Sequence, residues 1–314
     1  MSGLLRRTAT LKRIPPVIYM LGVAMLAFSF TANNFISLGN AFNVMKQASP
    51  LLVLAIGETM AILVGGIDLS VGYLMSFTGL MAAFMLRAGF PLPAVLALAI
   101  AIAAAIGMLN GVLVTKFKLP YFIATFGIGY VLFGAGLLLS GGMSVPALNA
   151  PFRFIADGDL LGIPMIIICA AAIFLGLTYR MKYTPFGRNV YSLGGNREAL
   201  YLSGINVDWA EIKVFTTVGL LAGCAGIMFS SRAASGHPSS GMSWEFDAVA
   251  STIIGGNSFS EGRGSINKTI LGVAFISILR NGLNMSGVTP QIQSFLVGVI
   301  VVIAISVDVL SKKK

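Results

Sequence analysis

The sequence predicts an all-α, polytopic integral membrane protein of about ten transmembrane helices, some of them broken by Gly-Gly pairs. Three observations carry that expectation. Of 314 residues, 56% are hydrophobic and only 10% are charged, where a soluble domain carries roughly a quarter charged residues. Charge-free runs (Ile14–Met45, Leu69–Leu86, Ala88–Thr115, Leu119–Phe152, Leu160–Tyr179, Val214–Ser231 and Asn281–Val307) each reach the roughly 18–20 residues that cross a bilayer. The basic residues sit in short clusters between these runs and fall mainly on one side of the alternating topology.

The first crossing spans Pro16–Ala32. Arg6, Arg7, Lys12 and Arg13 before it resemble the head of a signal peptide. Phe28–Asn34 offers no small-x-small cleavage site and further spans follow, so the segment reads as a first transmembrane helix. Crossings then fall at Ala48–Val64, Val71–Leu86, Leu92–Val114, Tyr121–Leu139 and Ile163–Tyr179. Past a polar island come Ile212–Ser231, a short segment at Trp244–Ile254, Ile266–Met285 and Ile292–Val309. Placing the N-terminus inside puts 16 of the 21 Lys and Arg residues in the cytoplasm, as the positive-inside rule requires. Both termini and the island are then cytoplasmic. The outward loops, Ser140–Gly162 and Arg232–Ser243, are rich in Gly, Pro and Ser and long enough to dock an external partner. Residues 1–314 form one transmembrane domain, with a cytoplasmic loop at 180–211.

The island, Tyr183–Ile205, is polar and basic in an otherwise apolar chain. Thr184-Pro185 and Gly187 break the preceding helix, and Gly194-Gly195 form a second hinge. Asn196 is placed as an N-cap with Glu198 in the first turn. Ala199, Leu200, Leu202 and Ile205 follow at amphipathic spacing, and Gly204 ends the short helix. Two readings stand: a solvated loop packed on its own protein, or a helix that docks on a partner.

Several chemistries are excluded. The net charge of +10 is spread over loop clusters, with no aromatic-basic platform or recognition helix for nucleic acid. Cys169 and Cys224 both lie in apolar segments, and His237, the one histidine, lies alone in a Gly/Ser/Pro loop. No G-x-x-x-x-G-K-[ST] is present, and Gly262-Arg263-Gly264 lacks the lysine. Without H-E-x-x-H, G-x-S-x-G or a base–nucleophile pair, the chain is expected to be no enzyme and to bind no cofactor or metal.

Few polar groups fall inside the spans. Glu58 lies about ten residues, roughly 15 Å, into the second, and Arg280 lies in the outer half of the ninth. A charge at a helix centre costs roughly 2.5–3.5 kcal/mol on insertion scales, so such residues face a cavity or a partner. Their opposite signs permit an ion pair; a place on the solute path is the other reading. Asp68, between Gly65-Gly66 and Ser70, suits a turn that caps the next helix, or a gate. Asn33, Asn34, Asn110, Asn281 and Asn284 supply amides for helix packing or for a polyhydroxylated solute. Gly65–Gly72 and Gly255–Gly262 share the pattern GG-x3-S-x-G, and Asn110-Gly111 before Pro120 echoes Asn281-Gly282 before Pro290, as an internal repeat would.

The segments Asn43–Ser49 (NVMKQAS), Gly65–Gly72 (GGIDLSVG), Gly187–Ile205 (GRNVYSLGGNREALYLSGI), Glu245–Ile266 (EFDAVASTIIGGNSFSEGRGSI) and Asn281–Val288 (NGLNMSGV) together resemble the permease subunit of bacterial sugar ABC importers, the ribose-type monosaccharide group. They run in order over most of the chain. Glu261 departs from the small residue usual in that family, and Arg280 from an uncharged one. The resemblance implies a multi-pass protein of the bacterial cytoplasmic (inner) membrane that imports a ribose-like pentose or a hexose by alternating access. It implies a permease homodimer, a cytoplasmic ATPase partner that holds the ATP and Mg, and a periplasmic or lipid-anchored sugar-binding protein outside. It makes the island the coupling segment, with Gly187, Arg188, Gly194, Gly195, Asn196, Ala199, Leu202, Ser203 and Gly204 at the ATPase. Glu58, Asp68, Ser70, Asn110, Asn281 and Asn284 are the candidate path or gate residues. The competing class is a secondary sugar or small-solute transporter, or a channel, acting without an ATPase. It would need an ion or proton relay, and apart from Glu58 and Asp68 the spans offer little to build one.

Overall fold

The computed structural model describes residues 15–258 and 264–311. Arg6, Arg7, Lys12, Arg13, Glu261, Gly262, Arg263 and Lys312–Lys314 lie outside the described residues. The helices are α1 (Pro16–Thr31), α2 (Leu38–Leu63), α3 (Val71–Arg87), α4 (Leu92–Thr115), α5 (Tyr121–Ser140), α6 (Ala150–Asp157) and α7 (Met165–Tyr183). They continue with α8 (Pro185–Gly195), α9 (Arg197–Leu202), α10 (Val207–Ala233), α11 (Trp244–Ile254), α12 (Ile266–Met285) and α13 (Pro290–Ser311). Four strands of two residues each complete the fold: β1 (Val145–Pro146), β2 (Asp159–Leu160), β3 (Ile163–Pro164) and β4 (Ser235–Gly236). Helices α4, α5, α7 and α10 are each long and apolar enough to cross a membrane.

Helix ends follow local chemistry. Pro91, Pro120 and Pro164 stand immediately before α4, α5 and α7, where a missing N–H costs the helix nothing. Helix α2 begins at Leu38 rather than Ala48 because Ser37 caps it, accepting from the Asn40 N–H at 3.1 Å. Pro50 is carried inside that helix, buried.

Helix α10 is the centre of the bundle, packed most extensively on α4 and then on α3 and α2. Lipid supplies no hydrophobic drive between helices, so close approach of small residues does the work. At the α4–α10 crossing, a Cβ on Gly107 would stand 2.8 Å from the Gly219 Cα, and one on Gly219 would stand 2.7 Å from the Gly107 Cα. Helix α12 closes the other side, against α2, α11 and α1.

The segment expected as the eighth crossing differs in kind. Helix α11 has 11 residues, about 16 Å at 1.5 Å per residue, against a hydrocarbon core about 30 Å thick. The Arg232–Ser243 segment, expected as an outward loop, runs back along α3. Gly236 lies against Gly79 and Leu80, Gly241 lies against Gly72, and the Gly241 N–H donates to Ser76 Oγ at 2.6 Å. Strand β4 pairs antiparallel with β1, and the Ala147 N–H donates to the Ala234 carbonyl at 2.8 Å. Irregular backbone among spanning helices is tolerated where protein buries it and satisfies its polar groups. His237 shapes this turn, its Nδ1 accepting from the Ser239 N–H at 3.2 Å.

The proposed sequence echo does not map onto equivalent places. Asn110-Gly111 sits on α4, the second helix after Gly65-Gly66, and Asn281-Gly282 sits on α12, the first helix after Gly255-Gly256. Their bonding also differs, as described below.

The α4–α10 crossing yields a stability test. Gly219→Ala should overpack the contact, a change that costs about 1–3 kcal/mol, and lower the melting temperature of the detergent-purified protein. Gly127→Ala meets nothing within 4 Å and should leave it level or slightly raised. Equal effects at both sites would show that this crossing is not the tight one.

Candidate functional site

Between α2 and α3 the chain leaves the helix inside the bundle, and its polar groups are met by side chains from three elements. The Asp68 N–H donates to Glu58 Oε1 at 3.2 Å, the Leu69 N–H to Thr125 Oγ1 at 3.1 Å, and the Ser70 N–H to Asp68 Oδ1 at 2.9 Å. Ser70 Oγ donates to Asp68 Oδ1 at 2.5 Å, and Asn110 Nδ2 donates to Ser70 Oγ at 2.9 Å. Glu58, Asp68, Ser70, Asn110 and Thr125 are all buried. Asp68 organises the turn, while Ser70 is the residue at the helix cap position. Glu245 of α11 joins from the far side: its Oε2 lies so close to Gly72 that any Cβ there would collide with it. Glu58 Oε2 and Glu245 Oε2 find no donor among the described residues.

Four of the six candidate path or gate residues therefore converge, and two do not. Asn281 forms a reciprocal amide pair with Asn40, at 2.9 and 3.0 Å, which ties α12 to the start of α2. Asn284 is exposed near the end of α12. The ion pair expected between Glu58 and Arg280 is not formed. Arg280 Nη2 instead donates to Asp247 Oδ1 at 2.7 Å, joining α12 to α11, while Glu58 is taken by the loop backbone. A separate polar joint links α2 and α12 through the Thr59 and Thr269 hydroxyls at 2.6 Å, with Asn257, just past the end of α11, donating from Nδ2 to Thr269 Oγ1 at 2.9 Å.

The island contains two helices where one was expected. Thr184 ends α7 and begins α8, and the turn is so tight that a Cβ on Gly187 would collide with the Met181 carbonyl. Gly194 and Gly195 close α8 as its last residues. Asn196 then caps α9, its Oδ1 accepting from the Ala199 N–H at 2.9 Å, and Gly204 follows the helix with φ +82°, as expected. The buried residue of α9 is Leu200, whereas Ala199, Tyr201 and Leu202 are exposed. Arg188, Ser203 and Gly204 are exposed as well.

Arg197 anchors the island to two spans. Its Nη2 donates to Glu211 Oε1 of α10 at 2.5 Å and to the Tyr121 hydroxyl of α5 at 2.7 Å, and Tyr121 in turn donates to Glu211. Burial works against the Arg197 charge, but the bond to Glu211 outweighs it and holds the guanidinium above its ordinary pKa. The Tyr121 ring stacks on Phe215 and covers Gly66, the entrance to the α2–α3 loop. Tyr121 and Glu211 carry no distinct signal in the sequence because an aromatic or charged residue at a span boundary reads as an interfacial anchor, and Thr125 is one of several hydroxyls within the spans. Glu245 carried a signal, being one of two acids in the first turn of an apolar segment.

Comparison with known proteins places this geometry in context. The family described as branched-chain amino acid transport system / permease component matches residues 40–305. The ribose import permease protein RbsC of Escherichia coli (strain K12) is 37% identical over 293 residues, covering 91% of this chain and 90% of that protein. RbsC of Bacillus subtilis (strain 168) is 36% identical over 288 residues, covering 91% and 89%. The D-allose transport system permease protein AlsC of Escherichia coli (strain K12) is 33% identical over 297 residues, covering 94% and 91%. No solved structure matches the chain.

The observed pairing predicts a pattern of coupling. Breaking a buried ion pair costs roughly 3–5 kcal/mol, while replacing both partners together can be nearly neutral. Asp247→Leu and Arg280→Leu should each lower the melting temperature more than the double substitution does. Glu58→Leu combined with Arg280→Leu should be additive. The reverse pattern would restore the Glu58–Arg280 pair.

Proposed function

The chain belongs to the permease-component family of branched-chain amino acid transport systems, and on that premise we propose that it is the membrane-spanning subunit of an ATP-binding-cassette importer for a monosaccharide, a ribose-like pentose or a hexose. The sugar class rests on the identity shared over 91% or more of this chain with permeases named for ribose and D-allose. In this reading the chain supplies the path and makes no covalent bond. ATP and Mg²⁺ belong to a cytoplasmic ATPase partner, a sugar-binding protein delivers solute from outside, and two copies of the chain form the pore.

Residues 180–211 and both termini face the cytoplasm, an orientation supported by the distribution of 16 of the 21 Lys and Arg residues. Helix α9 is the coupling helix. An exposed apolar surface, Ala199 with Tyr201 and Leu202, stands in a polar segment, which suits a seat on a partner. Gly187, Gly194, Gly195, Asn196 and Gly204 set the turns that present it, and Arg188 and Ser203 flank it. Movement of α9 acts through Arg197 on Glu211 and Tyr121, hence on the first turns of α10 and α5. The Tyr121 ring carries it to Gly66 and to the loop that Glu58, Asp68, Ser70 and Asn110 hold, which is the gate. Asn281 ties α12 to the start of α2, at the end of that helix away from the gate.

Ala199→Glu tests the docking. The site is exposed in the free subunit, so membrane insertion and yield should stay near normal. In the complex the new charge would be desolvated without a partner, at a cost of several kcal/mol. Co-purification with the ATPase and uptake of D-ribose or D-allose in vesicles should both be lost. Normal uptake with the ATPase still bound would leave the island a solvated loop. For orientation, cysteines placed at Ser192 and Asp157 should label from opposite faces of the membrane, with Ser192 inside; labelling of both from one face would overturn the topology.

A further inference from the structure

Helix α11 begins inside the bundle, after the re-entrant segment, and a cavity of about 100 Å³ opens at that point. Its wall includes Gln47 of α2, Arg232 from the last turn of α10, Trp244 and Asp247 of α11, and Ser277 and Arg280 of α12. Four helices thus contribute polar or aromatic groups to one small space, and breaks in helices are where transporters place their solute sites. We propose that this cavity is a transit subsite that reads the hydroxyl groups of the imported sugar, an assignment that rests on the importer reading above.

The chemistry of the wall selects the ligand class. Arg280 spends one guanidinium N–H on Asp247, and its buried Nε–H finds no acceptor among the described residues. Arg232 and the Gln47 amide add donors, and Asp247, Gln47 and Ser277 add acceptors. A hydroxyl both donates and accepts, so a polyol can satisfy both sets at once. An apolar ligand would leave the charges unmet, and a simple cation would face two guanidinium groups. Trp244 is pinned edge-on by Phe229, with ring centroids 5.2 Å apart at 83°, and an indole is a surface on which the C–H face of a sugar ring packs. A water needs about 10–15 Å³ of such space, so the cavity takes one side of a sugar ring rather than enclosing it. Partial contact gives weak binding, which a transit site requires if the solute is to leave.

The chain has two tryptophans, and Trp209 is exposed at the start of α10. Trp209→Phe therefore leaves Trp244 as the sole indole reporter. The full-length variant permease, in lipid nanodiscs, would be titrated with D-ribose, D-xylose and D-allose while its emission is followed. At least one sugar should give a saturable change with half-saturation in the millimolar range. Asp247→Asn with Arg280→Gln, which keeps the pair neutral, should weaken it by about tenfold, a loss of about 1.4 kcal/mol. Gln47→Leu, outside the ion pair, should also weaken it, and it decides the matter if the double variant does not fold. A flat titration with all three sugars overturns the subsite. So does a double variant that melts earlier yet keeps the full response, since the pair would then only tie α11 to α12. The importer reading is judged separately, by ATPase co-purification, which these residues do not touch.

Discussion

Three consecutive backbone N–H groups, those of Asp68, Leu69 and Ser70, leave the helical ladder inside the bundle, and the surrounding side chains are arranged to receive them. A buried donor left without an acceptor costs about 1–3 kcal/mol, and hydrocarbon offers no water in compensation. Glu58 reaches forward from α2, Thr125 reaches across from α5, and Asp68 turns back on its own chain. Asn110 then fixes the Ser70 hydroxyl from α4. Once α3 is started in this way, its first turn must admit the re-entrant segment, which is why Gly72 bears no side chain beside Gly241 and Glu245. The start of α11, and with it the polar cavity, inherits its position from that loop.

The same loop is in contact with the Tyr183–Ile205 island through one aromatic ring. Tyr121 covers Gly66 with its face and meets Arg197 and Glu211 with its hydroxyl. A rigid ring with a polar tip couples an interfacial ion pair to a buried turn without opening a path for water. Helix α8 of the island also packs directly on α2, and this short chain of contacts is physical rather than statistical.

The helical architecture was legible because apolar run length is a direct consequence of the bilayer. The Asn196 cap and the Gly204 stop were legible because they are local chemistry. What failed depended on tertiary geometry. The breaks at Thr184-Pro185 and Gly187 and the hinge at Gly194-Gly195 fall where the sequence puts them, but the sequence does not show that the stretch between them is itself a helix, α8. Ala199, Leu200, Leu202 and Ile205 share amphipathic spacing, but only the fold shows that Leu200 is the side chain α9 buries while Ala199 and Leu202 are exposed. Charge complementarity suggested Glu58 for Arg280, and nothing in one dimension could show that Asp247, 33 residues before Arg280, lies nearer. The short α11 looked like a poor crossing because it is one piece of a re-entrant unit, whose other half, residues 234–243, carries no helical period at all.

Two kinds of contact hold the bundle. Around α10 they are glycine against backbone, as at Gly107–Gly219 and Gly79–Gly226, and a radial gap of about 0.5–1 Å forfeits a quarter to a half of such a contact's dispersion energy. Helices α11 and α12 meet in the same way, since a Cβ on Gly272 would collide with the Ser251 carbonyl. Polar pairs add to this: Arg280–Asp247 ties α12 to α11, while the Thr59–Thr269 hydroxyls and the Asn40–Asn281 amides tie α12 to α2. Hydroxyls and amides can change partners at modest net cost, so the joint between α12 and α2 tolerates a shift that the glycine contacts do not. The cavity lies against that joint, between Gln47 and Leu51 of α2 and Ser277 and Arg280 of α12, so a shift there would reshape the contacts it offers.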